Sequence, residues 1–363
     1  MPRGDHPPAD GRRVAGLSPW AYPRVLLSLV KPRIAALLCL TGVTAAVAAG
    51  GSGPVKLTAF ALAGLGMAGG AAALNCVYDR DIDHLMDRTA DRPLATGELD
   101  PRIATAFALA GLAGATVLAL VYLPRVAVGY MWLGVGAYVG LYTVALKRRH
   151  WSGVVLGGSA GSFPVLAGWT AVRPLEPVAV AMAVLVFAWT PAHAWALAVV
   201  YREDFAAAGV PTLPVVAAAE RVRRAVWQSA LVTAGVAALV VPAAGAVYAA
   251  AVAVAVPALL VAYRSFARRG GDERAVRAFF TSNAVLASLF VGWALSGVTD
   301  GPLAVGASAV VSVLAVAGVW WGRPSLDGVR SAPVPGLVAD SGRTAVGRLH
   351  AAAGWVGGLA SRR

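Results

Sequence analysis

Charged residues and cysteines are scarce in this 363-residue chain. Only 13% of the residues are charged, whereas 58% are apolar. This composition excludes an ordinary water-soluble protein, in which about 25% of the residues are charged. The two cysteines, Cys39 and Cys76, lie in apolar stretches and have no partner at metal-binding spacing, so the sequence also excludes a disulfide scaffold and a zinc site.

Long apolar stretches make up most of the sequence. A membrane-spanning helix needs about 20 mostly apolar residues, because its backbone must satisfy its own hydrogen bonds. The sequence therefore predicts an all-α, polytopic transmembrane helical bundle. The ten predicted segments are 34–50, 57–78, 103–123, 126–146, 153–171, 177–200, 226–246, 247–263, 278–298 and 303–321.

Basic residues are distributed unevenly between the loops that join these segments. With the N-terminus inside, all but three of the 31 Lys and Arg residues fall on the cytoplasmic side; the exceptions are Lys56, Arg125 and Arg173. This positive-inside pattern predicts a multi-pass protein of the cell membrane that faces anionic membrane lipids. The basic residues do not gather on a soluble module, which excludes nucleic acid as a partner.

The composition predicts four parts along the chain. Residues 1–24 form a polar tail without the apolar run of a secretory signal, and 25–298 form the transmembrane domain. An additional transmembrane helix is expected within 299–322. A basic flexible tail is expected at 323–363.

Acidic residues cluster in two loops on the predicted cytoplasmic side, the first of which follows the second segment. Asn75, Asp79 and Asp83 recur every four residues and therefore share one helix face over roughly 12 Å. Like charges at this spacing repel unless a cation neutralises them, and Mg²⁺ prefers such oxygen ligands. The pattern predicts a magnesium site; a solvated helix end with salt bridges to nearby arginines is the alternative.

Arg88 and Arg92 follow this first motif. Guanidinium groups bind phosphate oxygens in pairs, so both residues are predicted to contact a diphosphate. Simple anchoring at the basic cytoplasmic surface is the alternative.

The second acidic loop begins Tyr201-Arg202-Glu203-Asp204. It ends a predicted helix on the same side of the membrane as the first motif. Glu203 and Asp204 are therefore predicted to hold a second metal ion, so that the two helix ends bind one diphosphate between them.

His193 lies inside the sixth predicted segment, about 16 Å before Asp204 along the helix. An imidazole within a membrane span needs a partner or a task. A structural hydrogen bond and a contact with substrate are both compatible with the sequence.

These motifs resemble those of the UbiA membrane prenyltransferases. The stretch from Asn75 to Gly97 is similar to the first aspartate motif of that family, and 201–215 is similar to the second. The pattern most resembles the protoheme IX farnesyltransferase (haem O synthase) branch. It departs from that branch at four positions, which are Ala192, Ala194, Glu203 and Thr212.

The resemblance implies a UbiA-type bundle of nine core helices, here with an extra C-terminal helix. It implies Mg²⁺-dependent transfer of a prenyl group from an isoprenyl diphosphate, farnesyl diphosphate in this branch, to a vinyl group of haem b. The implied catalytic residues are Asp79, Asp83, Asp204 and Lys147. The implied substrate-binding residues are Arg88, Arg92, Tyr142, Arg148, His193, Tyr201 and Arg202.

Other interpretations are open. Tyr142 and Tyr201 also suit anchoring at the membrane interface. A UbiA-type enzyme with another acceptor, or one that cyclises its own prenyl cation, would share these motifs. A membrane transporter fits less well, because transporters place ionisable residues near the bilayer midplane, whereas here the acids cluster at one face.

Overall fold

The computed structural model describes residues 22–51, 53–322 and 324, and within them every regular element is a helix. The predicted tails, 1–24 and 323–363, therefore lie outside the described residues, except for 22–24 at the start of the first helix and residue 324. The helices are α1 Tyr22–Leu29, α2 Pro32–Ala48, α3 Pro54–Asp83, α4 Pro101–Tyr122, α5 Arg125–Val135, a π-helix Gly136–Leu146, α6 Gly153–Gly157, α7 Ser159–Thr170, α8 Pro177–Val200, α9 Arg202–Ala207, α10 Leu213–Val216, α11 Ala219–Arg269, α12 Asp272–Ser296 and α13 Pro302–Gly322.

Proline begins several of the long helices. Pro32, Pro54, Pro101 and Pro177 occupy the first turn, where no backbone N–H is needed and the fixed φ angle suits a helix. The side chain of Asp100 also caps α4, since it accepts a 2.7 Å hydrogen bond from the backbone N–H of Arg102. These local signals set where the apolar segments start.

Seven helices in the described part of the chain are long and apolar enough to cross a membrane. An eighth span exists if α1 and α2, which meet at 52°, cross together. The prediction of an all-α, multi-span bundle is confirmed. The predicted segment 153–171 differs from the structure, because it is divided between the short helices α6 and α7.

Helix α11 combines two of the predicted segments. Its 51 residues would extend about 77 Å as one straight rod, more than twice the apolar thickness of a bilayer. At Gly245, however, φ is 83° and ψ is −176°, a conformation that favours glycine. The Tyr248 hydroxyl donates to the carbonyl of Ala237 at 3.4 Å, which a straight helix would not allow over eleven residues. The chain therefore bends sharply within α11.

Two apolar clusters support the bundle. The larger joins α7, α8, α11 and α12, and includes the stacked rings of Trp169 and Trp293. The smaller joins α3, α4 and α5 around Phe60 and Leu112. The π-helix packs beside this smaller cluster and contacts α3. This contact brings the first acidic motif, at the end of α3, next to the C-terminal end of the π-helix.

The last helix, α13, packs on α11 and α12. Ser308 Oγ donates to the carbonyl of Val247 at 2.8 Å, which ties α13 to the second arm of α11. Much of its remaining surface is apolar and exposed, as expected for a helix that faces lipid.

Candidate active site

The first acidic motif is buried at the end of α3. Asn75, Asp79 and Asp83 are only 3%, 0% and 1% exposed. Asn75 Nδ2 donates to Asp79 Oδ2 at 2.7 Å, as their spacing of one helical turn allows. The three side chains share one face of the helix and are buried, so this helix end is not solvated, although Asp83 does form the salt bridge to Arg92 that the alternative included.

The π-helix supplies the cation beside Asp79. Lys147 follows its last residue, and Lys147 Nζ donates to Asp79 Oδ2 at 2.5 Å. Burial lowers the pKa of the Lys147 ammonium, an effect that the neighbouring Asp79 opposes. Thr143, also in the π-helix, accepts a 3.2 Å hydrogen bond from Asn75 Nδ2. A stretch of π-helix often marks a functional site.

Arg148 connects the buried Asp79 to Asp81 at the surface. It forms a pair of 2.6 Å hydrogen bonds with the two carboxylate oxygens of Asp81, and these bonds raise the pKa of Arg148. Its Nη2 also lies 3.4 Å from Asp79 Oδ1. Arg148 thus lies beside the motif, and Asp81 holds it there.

Lys31 also reaches the motif, although the sequence analysis did not select it as a site residue. Its Nζ donates to Asn75 Oδ1 at 2.6 Å and lies 3.5 Å from the Tyr138 hydroxyl. Lys31 is the only non-glycine residue with positive φ in the described part of the chain, at 48°. Such strain persists where surrounding structure enforces it. The strained junction between α1 and α2 therefore aims an ammonium into the site.

Asp83 is held by the first loop. Arg92 Nη1 donates to Asp83 Oδ2 at 2.7 Å, and the Thr89 hydroxyl donates to the Asp83 carbonyl at 2.8 Å. The second carboxylate oxygen, Oδ1, is buried without a hydrogen-bond partner. A buried unpaired carboxylate oxygen is costly and suits a site that takes a cation or a donor from a ligand.

The donor set suits Mg²⁺ brought in with a phosphate-containing ligand. Among the described residues, no group of three or more His, Cys, Asp or Glu side chains lies close enough to hold a metal alone. Mg²⁺ is usually bound through one or two carboxylates together with substrate phosphates and water. Asp83 Oδ1 and the neighbouring Asp79 provide such a partial set.

The second acidic loop contacts the first. The backbone N–H of Arg88 donates to Asp204 Oδ2 at 3.4 Å, and the Arg88 guanidinium lies 5.1 Å from the centre of the Tyr201 ring. An apolar cluster of both loops, with Met86 and Val210 buried, supports this contact. The two loops meet at one end of the bundle.

Arg202 and Glu203 stand apart from this contact. Both are exposed, whereas Tyr201 and Asp204 are half-buried. The structure therefore brings Asp204, Tyr201 and Arg88 together next to the first motif, with Arg202 and Glu203 at the surface beside them.

A cavity of about 610 Å³ lies within the bundle, and Lys31, which lines it and bonds to Asn75, connects it to the buried motif. Helices α2, α3, α7, α8 and α12 line it, together with the π-helix. Its walls are mostly apolar, and Lys31, Tyr138 and Tyr142 lie at the end next to the acidic motif. The Tyr138 and Tyr142 rings stack with their centres 6.1 Å apart. A volume of this size suits a small-molecule ligand.

Glycine allows Tyr142 to reach the cavity wall. A Cβ atom on Gly157 would lie only 2.6 Å from the Tyr142 ring. Residues larger than glycine at 157 would therefore displace Tyr142. This close approach gives a physical role to the Gly157-Gly158 pair that precedes α7.

His193 lines the same cavity from α8. Its Nδ1 lies 2.9 Å from Ser282 Oγ on α12, and its ring stacks against Trp189 and Phe279. A structural hydrogen bond and a ligand contact are both compatible with the sequence around His193. The structure provides the hydrogen bond and also places the ring at the cavity, so the two are compatible.

The UbiA prenyltransferase family matches residues 35–285. The protoheme IX farnesyltransferase of Mycobacterium avium (strain 104) is 39% identical over 299 residues, which cover 78% of this chain and 96% of that protein.

Solved structures share the fold. The structure of a digeranylgeranylglyceryl phosphate synthase aligns with a TM-score of 0.61 at 15% identity, over 76% of this chain and 98% of that chain. A UbiA homologue from Archaeoglobus fulgidus, bound to DMAPP and Mg²⁺, aligns with a TM-score of 0.52 at 18% identity, over 82% of this chain and 98% of that chain.

Sequence match, relatives and fold agree with one another and with the buried motif. The chain belongs to the UbiA prenyltransferase family, among protoheme IX farnesyltransferase relatives, and is a multi-pass membrane prenyltransferase.

Proposed function

We propose that this enzyme transfers the farnesyl group of farnesyl diphosphate to a vinyl group of haem b and so forms haem O. The acceptor, protoheme IX, and the transferred farnesyl group are those that the name of its Mycobacterium avium relative states, and that protein is matched over 96% of its length. The junction of the apolar cavity with the buried charged motif is the observation that carries the proposal.

A prenyl diphosphate needs a site with two different parts. Its diphosphate requires cations, and its hydrocarbon chain requires an apolar space from which water is excluded. Lys31 and Tyr138 line the polar end of the cavity. Lys31 Nζ lies 2.6 Å from Asn75 Oδ1 and 3.5 Å from the Tyr138 hydroxyl. This arrangement supports binding of the diphosphate beside the first acidic motif, with the prenyl chain directed into the cavity.

Four basic residues next to the first motif would contact the diphosphate. The carboxylates of Asp79 and Asp83 already pair with three of them, Lys147, Arg92 and Arg148. The fourth, Arg88, lies where the first loop contacts the second. Their positive charge would be most valuable as negative charge develops on the departing diphosphate. Lys147 is the catalytic group we assign to this role, because it is buried beside Asp79.

Mg²⁺ is the cofactor that this site would take. The Archaeoglobus fulgidus homologue of this fold is bound to DMAPP and Mg²⁺. Asp79 and Asp83 would hold one ion from α3, with Asn75 as a further oxygen ligand, and Asp204 and Glu203 would hold a second ion from the second loop. When bound, the metal would neutralise part of the charge on the leaving diphosphate.

The cavity walls would then control the fate of the substrate. Loss of diphosphate leaves an allylic cation, which water would capture if it could enter. The apolar residues of α2, α3 and α12 line this space and would limit the access of water to the cation. The terminal vinyl carbon forms the new carbon–carbon bond, the adjacent carbon takes a hydroxyl from water, and one proton is released.

We also propose an orientation in the cell membrane. The distribution of basic residues supports a cytoplasmic N-terminus, cytoplasmic active-site loops and contact of these loops with anionic lipids. We further propose that 25–298 is the catalytic domain, and that the segment 299–322, which contains α13, is an addition to it.

One assay tests the proposal. Membranes that contain the protein are incubated with haem b, farnesyl diphosphate and Mg²⁺, and haem O is measured by mass spectrometry. Haem O that requires both the protein and Mg²⁺ is expected. Unmodified haem, together with diphosphate release and another prenylated or cyclised product, would replace this proposal with a different acceptor or with terpene cyclisation.

A further inference from the structure

His193 is fixed within the bundle on three sides. Its Nδ1 contacts Ser282 Oγ, and Trp189 and Phe279 stack on its ring with centroids 4.0 and 4.4 Å away. Within the described residues, these two aromatic rings make no ring contact with each other. They therefore cover opposite faces of the imidazole.

The Ser282 hydroxyl determines which ring nitrogen carries the proton. Ser282 Oγ lies 2.7 Å from the carbonyl oxygen of Phe279, which can only accept a hydrogen bond. The single hydroxyl hydrogen is donated to that carbonyl, so Ser282 Oγ accepts the N–H of His193 Nδ1. A neutral imidazole protonated at Nδ1 carries its lone pair on Nε2.

The Nε2 corner is the part of the ring that faces the cavity. His193 lines that cavity, while both ring faces and Nδ1 are covered. Nε2 has no hydrogen-bond partner among the described residues and is not among their sealed, unpartnered polar atoms. An accessible nitrogen lone pair therefore points into a largely apolar chamber.

We propose that His193 Nε2 is the axial ligand of the iron in the porphyrin acceptor, and that Ser282 is the positioning residue that sets its tautomer. This inference rests on haem b being the acceptor. A metal-binding histidine usually donates its other N–H to a neighbouring group, which fixes both tautomer and orientation. Ser282 does this here.

The aromatic contacts are compatible with axial ligation. The porphyrin plane would lie across the iron–nitrogen bond, so Nε2 must be free and the two flanking rings must lie on the Nδ1 side of that plane. Trp189 and Phe279 fix the plane of the imidazole. The iron–histidine bond would thus fix the depth of the porphyrin in the cavity.

Spectroscopy of bound haem tests the ligand. Full-length protein in lipid nanodiscs is titrated with ferric haem b without a prenyl diphosphate, and absorption and electron paramagnetic resonance spectra are recorded. The spectra of nitrogen-ligated iron are expected. His193→Gly should lose this signature, and added free imidazole should restore it.

His150 provides the matched control. Its Nδ1 also lies beside a serine hydroxyl, 2.7 Å from Ser152 Oγ, but both side chains belong to a loop and His150 is exposed. His150→Gly should retain the wild-type spectrum. An unchanged spectrum in His193→Gly would overturn the inference.

The tautomer assignment has its own readout, which also serves if His193→Gly fails to fold. Ser282→Ala should weaken haem binding about tenfold or more while the nitrogen-ligated signature remains. Binding of metal-free protoporphyrin IX, which has no iron to ligate, should change little. Equal losses for both porphyrins would contradict a role through the iron.

The assay for haem O separates this inference from the proposed function. Haem O formation by the wild type, with ligation unchanged in His193→Gly, would refute the ligand alone. A wild-type protein that neither binds nor modifies haem would refute the acceptor and this inference together.

Discussion

The two acidic motifs of this enzyme contain the same kinds of side chain but differ in their surroundings. Asp79 and Asp83 are at most 1% exposed, and each is bonded to a lysine or arginine. Glu203 is exposed, and Asp204 meets the first loop through one backbone N–H. The first motif is therefore part of the packed bundle, whereas the second lies on its surface. Changes in the first should affect stability and turnover together, and changes in the second should affect turnover.

The largest effect is expected from the buried carboxylates. Asp79→Asn or Asp83→Asn should lower prenyl transfer about 10³-fold, because a neutral amide holds neither Mg²⁺ nor the paired cation as well. Product formation and thermal unfolding are measured on the same preparations. Asp87→Asn, an exposed acid of the same loop, is the control. Full activity of either buried variant would disprove the metal assignment.

The ion pair of Lys147 separates stability from catalysis. Lys147→Met leaves the buried Asp79 carboxylate with the neutral Asn75 amide and the more distant Arg148 as its partners, so the free energy of unfolding should fall by about 3 kcal/mol. Adding Asp79→Asn should recover much of that stability while turnover stays lost. Denaturation curves in detergent measure the stability of the single and the double variant, and product formation measures their turnover.

Arg149→Met is the control for this pair, because Arg149 is the next residue and is exposed. It should unfold as the wild type does. If the double variant were as unstable as Lys147→Met alone, the Asp79–Lys147 interaction would not be the source of the loss.

A smaller effect should follow from Asp204→Asn in the second motif. We expect kcat/KM to fall about 10²-fold, because a charge near the diphosphate is lost. The free energy of unfolding should stay within about 0.5 kcal/mol of the wild type, as for other changes near the surface. A marked loss of stability would show that the two motifs are more alike than their burial indicates.

The smallest change is expected from Glu203→Gln. The side chain is exposed, so its contribution should appear as a severalfold rise in the Mg²⁺ concentration needed for half-maximal turnover. Glu220→Gln, in the first turn of α11 and paired with Arg224, provides the comparison. An identical Mg²⁺ dependence in wild type and Glu203→Gln would remove Glu203 from the ligand set.

Sequence periodicity predicted the first motif because α-helical spacing puts Asn75, Asp79 and Asp83 on one face. It did not predict the contact of Lys31, which depends on a left-handed backbone conformation between two helices. Nor did it select Tyr138 and Thr143, since the π-helix places them by hydrogen bonds five residues apart instead of four. Ordinary helical periodicity does not describe such a segment.

The fold, like the site, was predicted only in part from the sequence. Hydropathy predicted the multi-span bundle, because long apolar stretches have few other stable arrangements. It predicted one segment at 153–171, where the structure has a break before Ser159, because hydropathy reports composition and not backbone direction. The Ser282 contact of His193 joins positions 89 residues apart and left no sequence signal.

The pairing of Asp79 and Asp83 with Lys147 and Arg92 has a practical consequence. The protein supplies its own counter-ions, so each of the two buried carboxylates is paired with a basic side chain before any divalent ion arrives. Chelation with EDTA should silence this enzyme without lowering its melting temperature, and activity should return when Mg²⁺ is restored. The metal would bind together with the substrate and would not be needed for folding. Small zinc domains differ, because they unfold when the zinc is removed.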